Sequence, residues 1–135
     1  MADTVSKVER FSTEVPWESG QGKKLTDALT AGRADLLALW AYPIGGNVKI
    51  EMVPSDTAKF KAACKAAKVK LKKECAAFCV VGRNKIGALD PVVTALAAKG
   101  IRIHAIQAIS VGSKYGALIE VESKDVRKAA KALGV

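Results

Sequence analysis

The sequence predicts an α+β fold made of two β-α-β-β-α-β units in tandem, each an antiparallel sheet with both helices on one face. Three observations predict it. Short runs alternate apolar and polar residues, and longer runs place apolar residues at helical spacing. The order of these runs repeats once, at an offset of about 68 residues. Both halves also close alike, with Val53-Pro-Ser-Asp-Thr57 in one and Val121-Glu-Ser-Lys-Asp125 in the other.

Residues 1–4 read as a frayed end. Val5 to Trp17 alternates loosely through Val8, Phe11, Thr13 and Val15, which suits a first strand. Glu18 to Gly22 is a turn, and Leu25, Ala28 and Leu29 then predict a helix over Lys23 to Ala31. Asp35 to Tyr42 is apolar on both faces and predicts a buried strand. Trp40 and Tyr42 share one of its faces, which implies a covered sheet. Pro43 to Asn47 is a hairpin connection. Val48, Ile50 and Met52 alternate with Lys49 and Glu51, as in a half-exposed strand. Ser55 or Asp56 caps a helix running to about Lys68, and Val69 to Lys73 alternates again.

The second pass begins at Cys75. It predicts a strand to Val81, a helix over Leu89 to Lys99, strands over Ile101 to Ile109 and Tyr115 to Val121, and a capped helix over Ser123 to Leu133. The units are therefore placed at 5–73 and 74–135. The second lacks a fourth strand of its own, and one long strand through residues 69–81 is expected to serve both.

Composition narrows the functional classes. A chain of 135 residues can bury about 68% of its unfolded surface, enough for a self-sufficient core. No apolar run approaches the roughly 20 residues of a membrane span. The start of the chain has no basic segment followed by an apolar one, so no signal peptide is expected. Three cysteines make no disulfide framework, and the expected compartment is the cytoplasm. Cys75 and Cys79, four apart on a strand, would lie about 13 Å from each other. That is too far to share a tetrahedral metal, and no metal or cofactor is expected. No nucleophile motif, carboxylate dyad, P-loop or dinucleotide-binding glycine pattern occurs, so no catalytic residue is assigned and the chain is read as a non-enzyme.

The net charge of +9 raises nucleic acid as a partner. Lys59, Lys61, Lys65, Lys68, Lys70, Lys72 and Lys73 fall in one stretch. Such a run is ordinarily a solvated face. A sheet that reads RNA stacks bases on aromatics, and this chain has only seven, with Phe78 alone at a central strand position.

The most informative stretch is Val80-Val-Gly-Arg-Asn-Lys-Ile-Gly-Ala-Leu89 followed by Gly100-Ile-Arg-Ile-His104. It predicts strand, glycine turn, helix and strand. Where the helix begins, free backbone N–H groups and the helix dipole favour an anion such as a carboxylate. Gly87 permits close backbone approach. Helix capping alone also accounts for this turn. Arg102 and His104 fall on one strand face, where a solvated or interface role is the alternative to a ligand role.

Asn84-Lys-Ile-Gly87-Ala-Leu89 with Gly100-Ile-Arg-Ile103 resembles the pattern of the ACT domain, a ferredoxin-like regulatory module of amino-acid metabolism. Ile86 stands where that pattern has Pro, and Arg102 where it has Asn. The first half matches less well, through Gly22-Lys-Lys-Leu25. The resemblance implies a ligand site at the strand-helix turn of the second unit, against an adjoining unit or subunit, made of Arg83, Asn84, Lys85, Ile86, Gly87, Ala88, Leu89, Arg102 and His104. It implies a non-catalytic protein that binds an amino acid or related anionic metabolite and acts alone or through a partner enzyme or regulator; a homodimer is expected because unpaired strand edges and an open sheet face need cover. The alternatives are a nucleic-acid module using the lysine face 59–73, and a structural interaction domain.

Overall fold

The computed structural model describes residues 3–135, and of the segment read as a frayed end, residues 1 and 2 lie outside it. Eight strands and four helices follow one another in the order β1 (Thr4–Val8), β2 (Phe11–Pro16), α1 (Gln21–Ala31), β3 (Leu36–Ile44), β4 (Asn47–Pro54), α2 (Thr57–Ala66), β5 (Lys72–Lys73), β6 (Ala77–Arg83), α3 (Asp90–Ala98), β7 (Ile103–Val111), β8 (Lys114–Val121) and α4 (Val126–Leu133). They form two compact units. One is Glu9–Glu74; the other is the chain up to Val8 together with Cys75–Val135.

The unit Glu9–Glu74 is a four-stranded antiparallel sheet in the order β3-β4-β2-β5. Helices α1 and α2 pack on one face. Leu25 and Leu29 of α1, with Phe60 and Cys64 of α2, bury against Phe11, Ile50 and Met52 of the sheet. Each such side chain contributes about 1.5–3 kcal/mol on full burial. The rings of Phe11 and Phe60 lie 5.5 Å apart. Helix α2 starts at Asp56, whose carboxylate accepts the Lys59 amide at 3.1 Å, satisfying one of the orphan donors of the first turn.

The second unit repeats this plan in the order β1-β6-β8-β7. Phe78, Val80, Val92, Leu96, Ile119 and Ala129 form its core. The two units correspond at 67 residues, with 36 matching 103 and 47 matching 114. Even an irregularity is repeated. Leu37 bulges between the pairs Leu36↔Pro54 and Ala38↔Val53, and His104 between Ile103↔Val121 and Ala105↔Glu120.

Several expectations are corrected. The run from Val5 to Trp17 is two strands, broken at Glu9 and Arg10, that enter different sheets. Residues 5–8 therefore leave the first unit. As β1 they pair with β6 and supply the fourth strand that the second unit lacked. No long strand is shared: β5 ends at Lys73 and β6 starts at Ala77 in the other sheet. Cys75 thus lies outside β6. Strand β3 was expected to be buried but is an edge, and Leu37, Leu39 and Ile44 are exposed on it. Strand β4 was expected to be half-exposed but is central, with residues 50–54 all buried. A two-residue period reports which side chains share a face, but not which strand lies alongside.

Buried charge is confined to a few residues. Glu51 accepts hydrogen bonds from the Arg10 guanidinium, from Trp40 Nε1 at 3.2 Å and from the Tyr42 hydroxyl at 2.6 Å. Trp40 and Tyr42 are thus partners of a buried carboxylate on the sheet face away from the helices. Phe78, the one aromatic considered for base stacking, is fully buried under the helices.

Candidate ligand site on the second unit

Strand β6 alternates Phe78 and Val80 into the core, then reaches the polar turn at Asn84. The Asn84 amide donates to the Ser113 carbonyl at 2.8 Å, tying the turn to the β7-β8 hairpin. The matching bond in the first unit runs from the Trp17 amide to the Gly46 carbonyl at 3.1 Å. Gly87 has φ +73° and Gly20, its counterpart, φ +86°. Both sit where a side chain would be strained. The structural counterpart of Gly87 is therefore Gly20 rather than Gly22, because helix α1 starts directly after Gly20.

After Gly87 the two units differ. Helix α3 starts only at Asp90, and Leu89 at its N-cap makes no side-chain cap. The Ala88 amide donates to Lys85 C=O at 3.2 Å, and the Asp90 amide to Gly87 C=O at 3.0 Å. The Leu89 N–H between them has no hydrogen bond among the described residues. Of the backbone N–H groups at this helix start, that of Ala88 is thus occupied and that of Leu89 is available.

A cavity of about 360 Å³ opens here. Asn84, Lys85, Gly87, Ala88, Leu89 and Asp90 line it from the turn, Ala108, Ile109 and Ser110 from β7, and Tyr115 from β8. Lys85 and Asp90 bring opposite charges to one space, and neither pairs with another charged group among the described residues. Tyr115 is buried and donates a 2.7 Å hydrogen bond to Asp3. Burial, the Asp3 hydrogen bond and the Asp3 charge push its phenol up to about 12.

Five of the nine residues singled out from the sequence line this cavity. The other four do not. Ile86 projects fully into solvent. Arg83 lines a separate cavity of about 350 Å³ with Val81, Gly82, Ser113 and Lys114. Arg102 pairs with Glu122 at 2.9 Å, and it lies about 20 Å along β7 from Ala108. His104 is exposed at the bulge beside it. Arg102 and His104 sit where β7 begins, whereas the cavity lies towards the end of β7. Asp90, Ala108, Ile109, Ser110 and Tyr115 were not found from the sequence. The hairpin signal at Gly112 would have given two of them, since a two-residue turn pairs Ser110 with Tyr115.

No protein-family model and no curated protein matches the chain. Solved structures do. A protein from Bacteroides thetaiotaomicron is 21% identical with a TM-score of 0.80, covering 99% of this chain and 90% of its own. The ligand-free regulatory subunit of aspartate kinase from Thermus thermophilus is 17% identical with a TM-score of 0.61, covering 99% and 97%. Aspartokinase III of E. coli, solved with lysine and aspartate, is 12% identical with a TM-score of 0.57; the match covers 98% of this chain and 32% of that one. The chain therefore has the tandem ACT-type fold found in the regulatory domains of aspartate kinases.

Proposed function

We propose that this chain is a non-catalytic regulatory protein that binds an amino acid or a closely related zwitterion in the cavity beside Gly87. The observation that carries the proposal is that the opposite charges Lys85 and Asp90 line one cavity together with Leu89, whose N–H is unoccupied. A ligand carboxylate takes the Leu89 N–H and Lys85, and a ligand ammonium takes Asp90. Asn84 serves either group, having both donor and acceptor. The volume suits a small ligand. That an aspartokinase of similar fold was solved with lysine and aspartate supports this ligand class.

Regulation follows from population shift: a ligand that favours one packing of units or subunits raises its share. The edge strands β3 and β7 carry exposed Leu39, Ile44, Ile109 and Val111. Such edges need cover, which fits a homodimer or a partner enzyme. The cytoplasm is the compartment where such metabolites are met.

The test is a thermal-shift screen against the twenty amino acids and their deaminated acids. A true ligand at a hundred times its Kd stabilises by about 2.7 kcal/mol. Asp90→Asn is expected to weaken the amino acid at least tenfold and the deaminated acid much less. A flat screen, or a shift unchanged by Asn84→Ala and Asp90→Asn together, would refute the proposal.

A further inference from the structure

The second cavity, beside Arg83, stands apart from the site proposed above. Its lining holds two cations, Arg83 and Lys114, and no acid. They are directly opposed in the β6-β8 ladder. Like charges facing each other across strands oppose the pairing they sit on. Neither cation is relieved by a carboxylate among the described residues. Asp3 is close in space but committed elsewhere. It lies over Gly82, where an added Cβ would meet its Oδ1 at 2.0 Å, and it accepts the Tyr115 hydroxyl on the helix-bearing face. Arg83 and Lys114 alternate with Gly82 and Tyr115, so they project from the opposite face.

The internal repeat supplies a control. The first unit has the same pair of strands, the same hairpin and the same tie from turn to hairpin. At the positions of Arg83 and Lys114 it has Pro16 and Asn47, paired in the same register. The fold therefore does not require two cations here. Only the second unit has them. An unrelieved charge pair of one sign, lining a concavity of about 350 Å³, is the arrangement expected where an anion neutralises both members. The planar guanidinium offers two parallel donors, the ammonium a point charge, and Ser113 a hydroxyl at the rim.

We propose that Arg83, Lys114 and Ser113 form a second binding site, for a small dianionic oxyanion, either a phosphoryl group or a dicarboxylate. It lies on the sheet face opposite the amino-acid cavity and takes its ligand independently of it.

The experiment titrates the whole protein with inorganic phosphate, glycerol phosphate and malonate in turn, at an ionic strength held constant with chloride, by calorimetry and backbone NMR. The expected result is one saturable site per chain, with shifts centred on residues 81–83 and 113–114. Binding is expected to weaken at least tenfold in Arg83→Gln and in Lys114→Gln. Phosphate and glycerol phosphate without malonate would assign a phosphoryl site, malonate alone a dicarboxylate site, and all three a general dianion site. Without any anion, each substitution is expected to raise the melting temperature, because it removes the repulsion. Absence of saturable binding by all three probes would overturn the proposal. So would binding unchanged in the double variant, or a lowered melting temperature in both single variants without anion. The amino-acid screen run on the same variants separates this result from the fate of the Gly87 cavity, whose lining they leave intact.

Discussion

The Tyr115 hydroxyl donates to Asp3 across 2.7 Å, which ties the head of the chain to the strand bordering the candidate cavity. The phenol is held up to about 12, first by burial and then by the Asp3 carboxylate. A group whose pKa is raised on folding contributes stability that is complete below its unfolded value and is lost as pH climbs through the folded one. The window for Tyr115 is therefore pH 10 to about 12. In a Tyr42→Phe background, where Tyr115 is the sole tyrosine, ultraviolet titration should find half-ionisation near pH 12. A midpoint near pH 10 would show that the tie to Asp3 does not hold in solution. Tyr115→Phe is expected to cost about 1 kcal/mol at neutral pH, the net worth of one such hydrogen bond.

Backbone conformation separates two glycines of one turn region. A Cβ at Gly82 would collide with the Asp3 carboxylate at 2.0 Å. Gly82→Ala should displace the Asp3 carboxylate from the Tyr115 hydroxyl and destabilise the second unit by about 1 kcal/mol, the net worth of that hydrogen bond. Gly87 faces open space but has φ +73°, so Gly87→Ala should cost about 1–2 kcal/mol from backbone strain alone. The reverse change is available at Lys68, a non-glycine residue at φ +59° just past α2. Lys68→Gly should raise stability by up to about 1 kcal/mol. Denaturant unfolding measures all three, and a neutral Gly82→Ala would contradict the placement of Asp3.

The Glu51 carboxylate is the most crowded polar group in the first unit. It is 4% exposed and takes hydrogen bonds from Arg10, Trp40 and Tyr42. Breaking a buried pair from one side costs about 3–5 kcal/mol, because it leaves a desolvated charge short of one of its partners. Glu51→Ala should fall in that range. Trp40 reports it directly, since its indole N–H loses an acceptor, and its fluorescence should shift before global unfolding. A loss under 1 kcal/mol would mean that Arg10 stays satisfied without Glu51.

Glu74 gives the first unit an acid-sensitive seam. Burial, the largest single influence, raises its pKa. The Ser12 hydrogen bond and the hydrogen bond and charge of Lys49, aided by Lys72, together outweigh it, so the net shift is downward from 4.5. Ser12 donates at 2.8 Å and Lys49 lies at 3.0 Å. A carboxyl with a lowered folded pKa contributes stability above its unfolded value and loses it as pH falls through the folded one. Stability should therefore decline below about pH 4.5, and Glu74→Gln should flatten that decline. An acid limb of unchanged steepness in the variant would assign the loss to other carboxyls.

The type and order of most elements were legible in the sequence. The helices at residues 21–31, 57–66 and 90–98 lie within two residues of the expected limits at nearly every end, because apolar spacing and caps are local signals. The turn at Asn84 to Leu89 was legible for the same reason. A strand, a glycine and a helix start are read within a dozen residues.

Which strand lies beside which was decided by tertiary structure alone. The two halves carry nearly the same local pattern, so nothing local says that Thr4–Val8 completes the second sheet rather than the first. Nor does it say that β3 and β7 are edges. The same non-local pairing brings Ser110 and Tyr115 to the turn, sets Arg83 against Lys114, and leaves Arg102 and His104 at the far end of their strand. Sequence alone determined a duplicated α+β chain with a glycine turn suited to an anion. Only strand pairing, which joins residues as far apart as Thr4 and Val81, decided which side chains share a cavity.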